Sequence, residues 1–230
     1  MIKAVIFDLD HTLYDRYATL TELAKVIRSK LPVNPSLSDS EIARIMVETD
    51  RQYIHIGWDA VLHHIVNETE LFFNKINGSD YLEFIMDGFR HVAVPYPFTI
   101  TTLESLRHDG YKLGLITNGR LGLQEKKLEM LGIDNAFDEV IVCGQYGCPK
   151  PSLKPFRMMA ERLNLKPSEM MYVGDNPLND VDASRRAGYV PVYVNTVGHW
   201  ALPEIEKCEL TVETIEEIPD LVRKYNESLK

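Results

Sequence analysis

The strongest constraint on the fold of this 230-residue chain is an alternation of two hydrophobic periods. Short, almost wholly apolar runs occur at residues 4–9 (AVIFDL), 112–117 (KLGLIT), 139–143 (EVIVC), 170–174 (MMYVG) and 191–195 (PVYVN). Runs without polar alternation suit strands buried on both faces. Amphipathic helical patterns lie between them. Residues 99–109 carry Leu103 and Leu106, 121–131 carry Leu128 and Leu131, and 152–164 carry Phe156, Met159, Ala160 and Leu163. A further pattern spans 179–187. Gly110, Gly132 and Gly188 stand just past three of these helices, where a left-handed residue ends a helix. Apolar strands alternating with helices predict an α/β fold, a Rossmann-like parallel sheet flanked by helices.

Residues 16–94 break the alternation, with helical periods and no convincing strand. Leu20, Leu23, Ala24, Ile27 and Leu31 step at helical spacing. Ser38 and Glu41 form a capping box ahead of Ile42, Ile45 and Met46. Val61, Leu62, Ile65 and Val66 mark a third period. Tyr81, Phe84, Ile85, Phe89 and Val92 mark a fourth, with Ser79 or Asp80 as its N-cap. Such helices bury their stripes on one another. The expected organisation is an α/β core of residues 1–15 and 97–230 with an inserted α-helical bundle at 16–96. Asp15-Arg16 and the stiff Pro95-Tyr96-Pro97 segment would be its hinges.

A chain of this length buries roughly 72% of its extended surface, so its core needs no staple. The 25 Lys+Arg against 34 Asp+Glu give a net charge of −9. Nucleic acid and anionic membrane surfaces attract basic proteins, so neither is an expected partner. A small anionic substrate stays compatible, because one local pocket can oppose the global sign. Cys143, Cys148 and Cys208 offer neither a disulfide framework nor a Cys-x-x-Cys metal pair, which fits free thiols in a reducing, cytoplasmic setting. The N-terminus meets Asp8 too early for a signal peptide, and no run of ~18 apolar residues occurs.

In a parallel sheet, ligands bind outside the carboxyl ends of the strands. Here those ends carry Asp8-Leu9-Asp10-His11-Thr12, Thr117-Asn118-Gly119, Lys150 after a short loop, and Gly174-Asp175 followed by Asn179-Asp180. Carboxylates gathered at one edge repel, and oxygen ligands suit Mg2+ as the compensating ion. A carboxylate is also a nucleophile toward phosphorus. The second Asp, two residues on, can serve as acid and then base. Thr117 offers a hydroxyl, Asn118 and Gly119 offer backbone N–H groups, and Lys150 offers a charge to pair Asp8 and the phosphoryl group. The Asp-x-Asp-x-Thr pattern alone arises by chance in ~3% of such chains. Its company of Thr-Asn, Lys and Gly-Asp, each after a further strand, makes coincidence very improbable.

The stretches FDLDHTLYD, LGLITNG, PKPSLKPF and YVGDNPLNDVDASRRAG resemble the four motifs of the haloacid dehalogenase-like (HAD) hydrolase superfamily. The resemblance covers residues 1–15 and about 97–197 closely. Residues 16–96 match only by position and helical character, as that family's helical cap. It implies Asp8 as nucleophile, Asp10 as acid/base, Thr117 as phosphoryl contact and Lys150 as the stabilising lysine. It implies Mg2+ held by Asp8, the backbone carbonyl of Asp10 and Asp175, with Asp180 close behind. Two departures stand out. The family's common Asp-Gly-Thr is Asp10-His11-Thr12, which puts a side chain near the substrate entrance. Lys-Pro-Asp-Pro is Lys150-Pro151-Ser152-Leu153, leaving Lys154 as a rival that follows its strand later.

The expected activity is Mg2+-dependent hydrolysis of a small soluble phosphomonoester, by a monomer or homodimer. A phosphomutase differs only in where the phosphoryl group goes. A haloacid dehalogenase resembles family members without the second Asp, so Asp10 argues against it. A phospho-acceptor signalling domain would place its acidic pair before Thr and Lys, and here a second acidic pair follows them. Other polar residues get structural readings. His63 and His64 diverge by about 100° on a helix and cannot chelate together. Tyr17, Arg51, His55 and Trp58 read as packing or solvated residues of the inserted bundle, and Lys126-Lys127 as a solvated helix face. Arg120 follows Thr-Asn-Gly as a weaker candidate for substrate contact, and Asn179, beside Asp180, as a weaker candidate for a functional role.

Overall fold

In the computed structural model, residues 1–54, 56–196, 198 and 202–230 are described. The chain divides into two compact units, one of Met1–Asp15 with Pro95–Lys230, the other Arg16–Val94. The divisions fall in or beside two two-residue strands, Tyr14–Asp15 and Val94–Pro95.

The first unit is built on a six-stranded sheet. Its strands are β1 (Ala4–Phe7), β2 (Lys112–Thr117), β3 (Glu139–Val142), β4 (Met170–Gly174), β5 (Val190–Val194) and β6 (Thr211–Val212). They lie in the order β3-β2-β1-β4-β5-β6, all parallel. The central strand β1 is fully buried, as its unbroken AVIF run requires. Phe7 pairs with Leu115 on one side and Val173 on the other, so the strand ends beside β1 come level at one edge. Ala4, Ile6, Ile116, Phe156, Met159 and Tyr172 belong to one buried cluster. Gly114 is part of this packing, since a Cβ there would stand 2.7 Å from Ile6 Cδ1 and 2.9 Å from Met159 Sδ.

Six-strand parallel order with flanking helices makes this a Rossmann-like α/β fold. The sequence pattern finds five of the strands and omits β6, whose two residues carry no readable period. It also omits the C-terminal helix Ile218–Ser228.

The helices of the second unit are α1 (Arg16–Ala24), α2 (Asp39–Tyr53), α3 (Trp58–Asn67) and α4 (Gly78–Gly88). Each packs on the next in the chain. The capping box forms as the sequence predicts: Ser38 N–H donates to Glu41 Oε2 at 2.6 Å, and Glu41 N–H to Ser38 Oγ at 3.3 Å. Two expectations need correction. The first period does not run as one helix, because α1 stops at Ala24 and Ile27–Ser29 form a separate 3-10 turn. α4 begins at Gly78 with Asn77 as N-cap, so Ser79 and Asp80 lie inside the helix. Arg16 and Asp50 form a buried bidentate pair at 3.0 and 2.7 Å. The Arg16 guanidinium also lies over the rings of Trp58 and Phe89. Among the described residues, no helix is long and apolar enough to cross a membrane.

In the first unit, α5 (Thr99–His108), α6 (Leu121–Leu131) and α7 (Lys154–Leu163) follow the predicted patterns. α8 (Ala183–Arg186) continues a π-helical turn at Pro177–Asp182, and α9 is the C-terminal helix Ile218–Ser228.

Candidate active site

The strand ends of β1, β2 and β4 and the loop after β3 bring most of the expected residues together within the first unit. Lys150 is the hub. Its Nζ donates to Asp8 Oδ1 at 2.6 Å, Asp180 Oδ1 at 2.6 Å and the Tyr172 hydroxyl at 2.8 Å. Tyr172, on β4, in turn donates to the Ile116 carbonyl at 3.1 Å, fixing the hub to the strand below it. Lys154, the rival lysine, stands exposed at the start of α7.

One carboxylate oxygen from each of Asp8, Asp175 and Asp180 lies within 4.8 Å of the others. Gly174 makes this closeness feasible, because a Cβ at that position would stand 2.5 Å from Asp180 Cγ. Burial pushes the Asp8 carboxyl up to about 7, against the pull of Lys150 and with a further push from Asp180 and Asp10. Asp175 is raised well above the usual carboxylate range by burial, then by Asp180 and Asp8. Burial opposes the charge of Lys150, yet Asp180 and Asp8 overcome it and hold the ammonium well above its usual range. Three carboxylates around one ammonium leave excess negative charge in a buried place. Their hard oxygen donors fit a divalent cation such as Mg2+. Asp180 is the least available donor, because Oδ1 is held by Lys150 and Oδ2 accepts from Asn176 N–H at 3.0 Å. Asn176 caps the following turn through Leu178 and Asn179 N–H. Asn179 thus enters the network through its backbone.

Asp10 turns its side chain to a different set of partners. Oδ1 accepts from Lys127 Nζ at 2.8 Å and from the Tyr14 hydroxyl at 2.5 Å, and Oδ2 accepts from Gln124 Nε2 at 3.1 Å. The same Gln124 amide reaches Thr117 Oγ1 at 2.6 Å and the Asn118 carbonyl at 2.9 Å. The Asn118 side chain is committed to the Lys150 backbone, donating to its carbonyl at 3.1 Å and accepting from its N–H at 2.8 Å. Gly119 has φ +116°, and its carbonyl accepts from Gly144 N–H at 3.1 Å. Thr12 Oγ1 lies 3.5 Å from Asp175 Oδ1.

His11 is buried, with φ 61°. That left-handed conformation costs an L-residue energy and suits the glycine that the resembled motif has there. The side chain is therefore carried on a turn made for glycine. Its carbonyl accepts from the Tyr96 hydroxyl at 3.4 Å and from Thr196 Oγ1.

Lys127 corrects a sequence reading. Lys126 is solvated and pairs with Glu129, but the Lys127 side chain is only 3% exposed and is ion-paired with Asp10. Gln124 and Tyr14, also buried, lie outside the candidates that the motifs supply. A signal existed: Gln124, Lys127, Leu128 and Leu131 step i, i+3, i+4, i+7, so two polar residues occupy the buried stripe of α6.

The remaining candidates lie elsewhere. Arg120 is the exposed N-cap of α6. His64 Nδ1 and Glu68 Oε2 are 2.9 Å apart on the surface of the helical unit, with His63 Nε2 3.7 Å from the same carboxylate. Arg51 lies over the Tyr17 ring. His55 lies outside the described residues. All three cysteines are free and buried.

A family model described as haloacid dehalogenase-like hydrolase matches residues 5–194. The chain belongs to the haloacid dehalogenase-like hydrolase family. It is 35% identical over 200 residues to the glyceraldehyde 3-phosphate phosphatase of Methanopyrus kandleri, covering 84% of each chain. It is 29% identical to the Methanocaldococcus jannaschii protein of the same name, over 97% of this chain and 98% of that one. Among solved structures, a HAD phosphatase from Thermococcus onnurineus is similar with a TM-score of 0.65 and 28% identity, over 96% and 98% of the two chains. With relatives of this kind along most of its length, the enzyme is a HAD-like hydrolase of the phosphatase type.

Proposed function

We propose that this enzyme hydrolyses a small phosphomonoester with Mg2+, through an aspartyl-phosphate on Asp8. The observation that carries the reading is the convergence of Asp8, Asp175 and Asp180, the first and last of them bonded to Lys150, at the sheet edge where β2 ends in Thr117. In the first step the Asp8 carboxylate attacks phosphorus and the ester P–O bond breaks. The leaving alkoxide takes a proton from Asp10. In the second step Asp10, now a carboxylate, takes a proton from water while the water oxygen attacks the phosphoaspartate, releasing phosphate and restoring Asp8. Lys150 keeps the Asp8 carboxylate oriented and offsets charge on the phosphoryl oxygens, which Thr117 also contacts. Asp8, Asp175 and the Asp10 carbonyl would hold Mg2+, with Asp180 close behind. Bound there, Mg2+ would neutralise the charge between the carboxylates and the phosphoryl group.

The names of the archaeal relatives favour a three-carbon phosphate such as glyceraldehyde 3-phosphate as substrate. The helical unit inserted after Asp15 acts in this reading as a cap that selects the phosphoester.

The test is rapid-quench intact-mass spectrometry with an aryl phosphate and Mg2+. Asp8→Asn is expected to carry no phosphoryl group. Asp10→Asn is expected to accumulate one on Asp8, because a good leaving group departs without an acid whereas water needs the base. Turnover by Asp10→Asn should fall by about 10²–10⁴-fold. Phosphate on Asp8→Asn, or on another residue in the Asp10 variant, would overturn the mechanism.

A further inference from the structure

We infer that Gln124, Lys127 and Tyr14 are positioning residues that register the acid/base Asp10 against the phosphoryl-contact hydroxyl of Thr117; this rests on the role proposed above for Asp10. Asp8 is held from below by Lys150, but Asp10 leaves the strand on a turn and needs its own support. Three donors supply it. Lys127 Nζ and the Tyr14 hydroxyl both reach Oδ1, at 2.8 and 2.5 Å, and Gln124 Nε2 reaches Oδ2 at 3.1 Å. Both carboxylate oxygens are engaged, so the side chain is fixed in rotation as well as in position.

The Gln124 amide orientation follows from its neighbours. Asp10 Oδ2 and the Asn118 carbonyl oxygen accept hydrogen bonds, so the NH2 end must face them. The same nitrogen lies 2.6 Å from Thr117 Oγ1. One amide therefore ties the proton-transfer group to the hydroxyl expected on the phosphoryl oxygens. Lys127 sits one helical step along the same face of α6. Its Nζ is 5.0 Å from the centroid of the Tyr14 ring, a cation–π contact that holds two of the three donors to each other.

Their placement explains the cost they impose. Gln124 is 1% and Lys127 2% exposed, on a stripe where aliphatic residues would pack more simply. A misplacement near 1 Å in a reacting group costs on the order of 10²-fold in rate, so a support of this kind has a measurable effect.

The experiment is a set of double-mutant cycles. Gln124→Met, Lys127→Met and Tyr14→Phe are made alone and on the Asp10→Asn background, with melting temperatures as a control for folding. Turnover is measured with Mg2+ on aryl phosphates whose leaving groups differ in acidity, with rapid-quench mass spectrometry for phosphoenzyme. Each single variant should lose roughly 10–100-fold in turnover, more with poor leaving groups than with good ones. Each should also accumulate phosphoenzyme when the leaving group is good. On the Asp10→Asn background the same changes should cost under about 2-fold, because the group they position is gone. Tyr14→Phe removes one oxygen and keeps the buried ring, so it carries the test if a larger change prevents folding. Equal losses on both backgrounds, or no change in leaving-group dependence, would overturn the inference while leaving Asp10 as acid/base. A fully active Asp10→Asn would instead remove the role of Asp10, and the inference with it.

Discussion

Replacing Lys150 by methionine keeps the length and bulk of the side chain and removes only its charge and donors. In the native site the ammonium lies 2.6 Å from both Asp8 Oδ1 and Asp180 Oδ1. Side-chain exposures are 2% for Lys150 and Asp180 and 10% for Asp8, so water cannot take over the ammonium's place. The two carboxylates then face each other within 4.8 Å. With both carboxylates ionised, that repulsion at an effective dielectric of about 20 is on the order of 3 kcal/mol, and Asp8, already raised to about 7, escapes it only by taking up a proton. Breaking a buried pair typically costs about 3–5 kcal/mol, in agreement. For a unit of this size, each kcal/mol shifts the melting temperature by about 2–4 °C, so Lys150→Met should melt roughly 6–20 °C lower. Adding Asp180→Asn removes the facing charge and should restore about half of the loss. Calorimetry or circular dichroism with chelator present reads both values without a cation substituting for the lysine. A Lys150→Met protein melting within about 2 °C of the parent, or a double variant less stable than the single one, would refute this account of the charge balance.

Two further changes test single contacts. Gly174→Ala would place a Cβ 2.5 Å from Asp180 Cγ, so Asp180 must move off Lys150. We expect a loss of about 1–3 kcal/mol together with weakened Mg2+ binding by titration calorimetry, and unchanged binding would contradict the packing argument. In the helical unit, Arg16→Met leaves Asp50 buried without its bidentate partner, at a cost of about 3–5 kcal/mol. Trp58 lies under the Arg16 guanidinium, so in a Trp200→Phe background its emission should shift and report an earlier melting step.

The strands and their order of chemistry were legible because a parallel sheet buried on both faces leaves continuous apolar runs, and the residue after each run must stand at the ligand edge. That reasoning reaches Asp8, Thr117 and Asp175 directly. Lys150 follows from its short distance after β3. It fails for Gln124 and Lys127, because a polar residue on a helix reads as solvated unless its partner is known. Their partner, Asp10, is 114 and 117 residues away in sequence. The Asn118 backbone N–H is the donor that its place after β2 suggests, while its side chain cross-links to the Lys150 backbone, which the sequence does not show. No composition or spacing shows a pairing between two loops. Strand β6 was missed for a simpler reason, since two residues cannot display a period.

The placement of contacts also decides how the helical unit can be tested. The partners named for Asp8, Asp10, Lys150, Thr117 and Asp180 belong to the first unit. The helical unit has its own buried side chains, among them Leu20, Ile42, Ile65 and Ile85, and its own buried ion pair. Replacing residues 16–94 with a short linker asks whether the first unit, which carries its own sheet and core, works without the helical one. If the unit is a cap, its removal opens the site to water and abolishes the selection of one phosphoester over another. Turnover of an aryl phosphate should then survive better than turnover of glyceraldehyde 3-phosphate, and the ratio of kcat/KM between the two should shift by about 10-fold or more toward the aryl substrate. A folded protein, shown by an intact melting transition, that lost both activities in equal measure would make the helical unit a structural element and leave specificity to the strand-end loops.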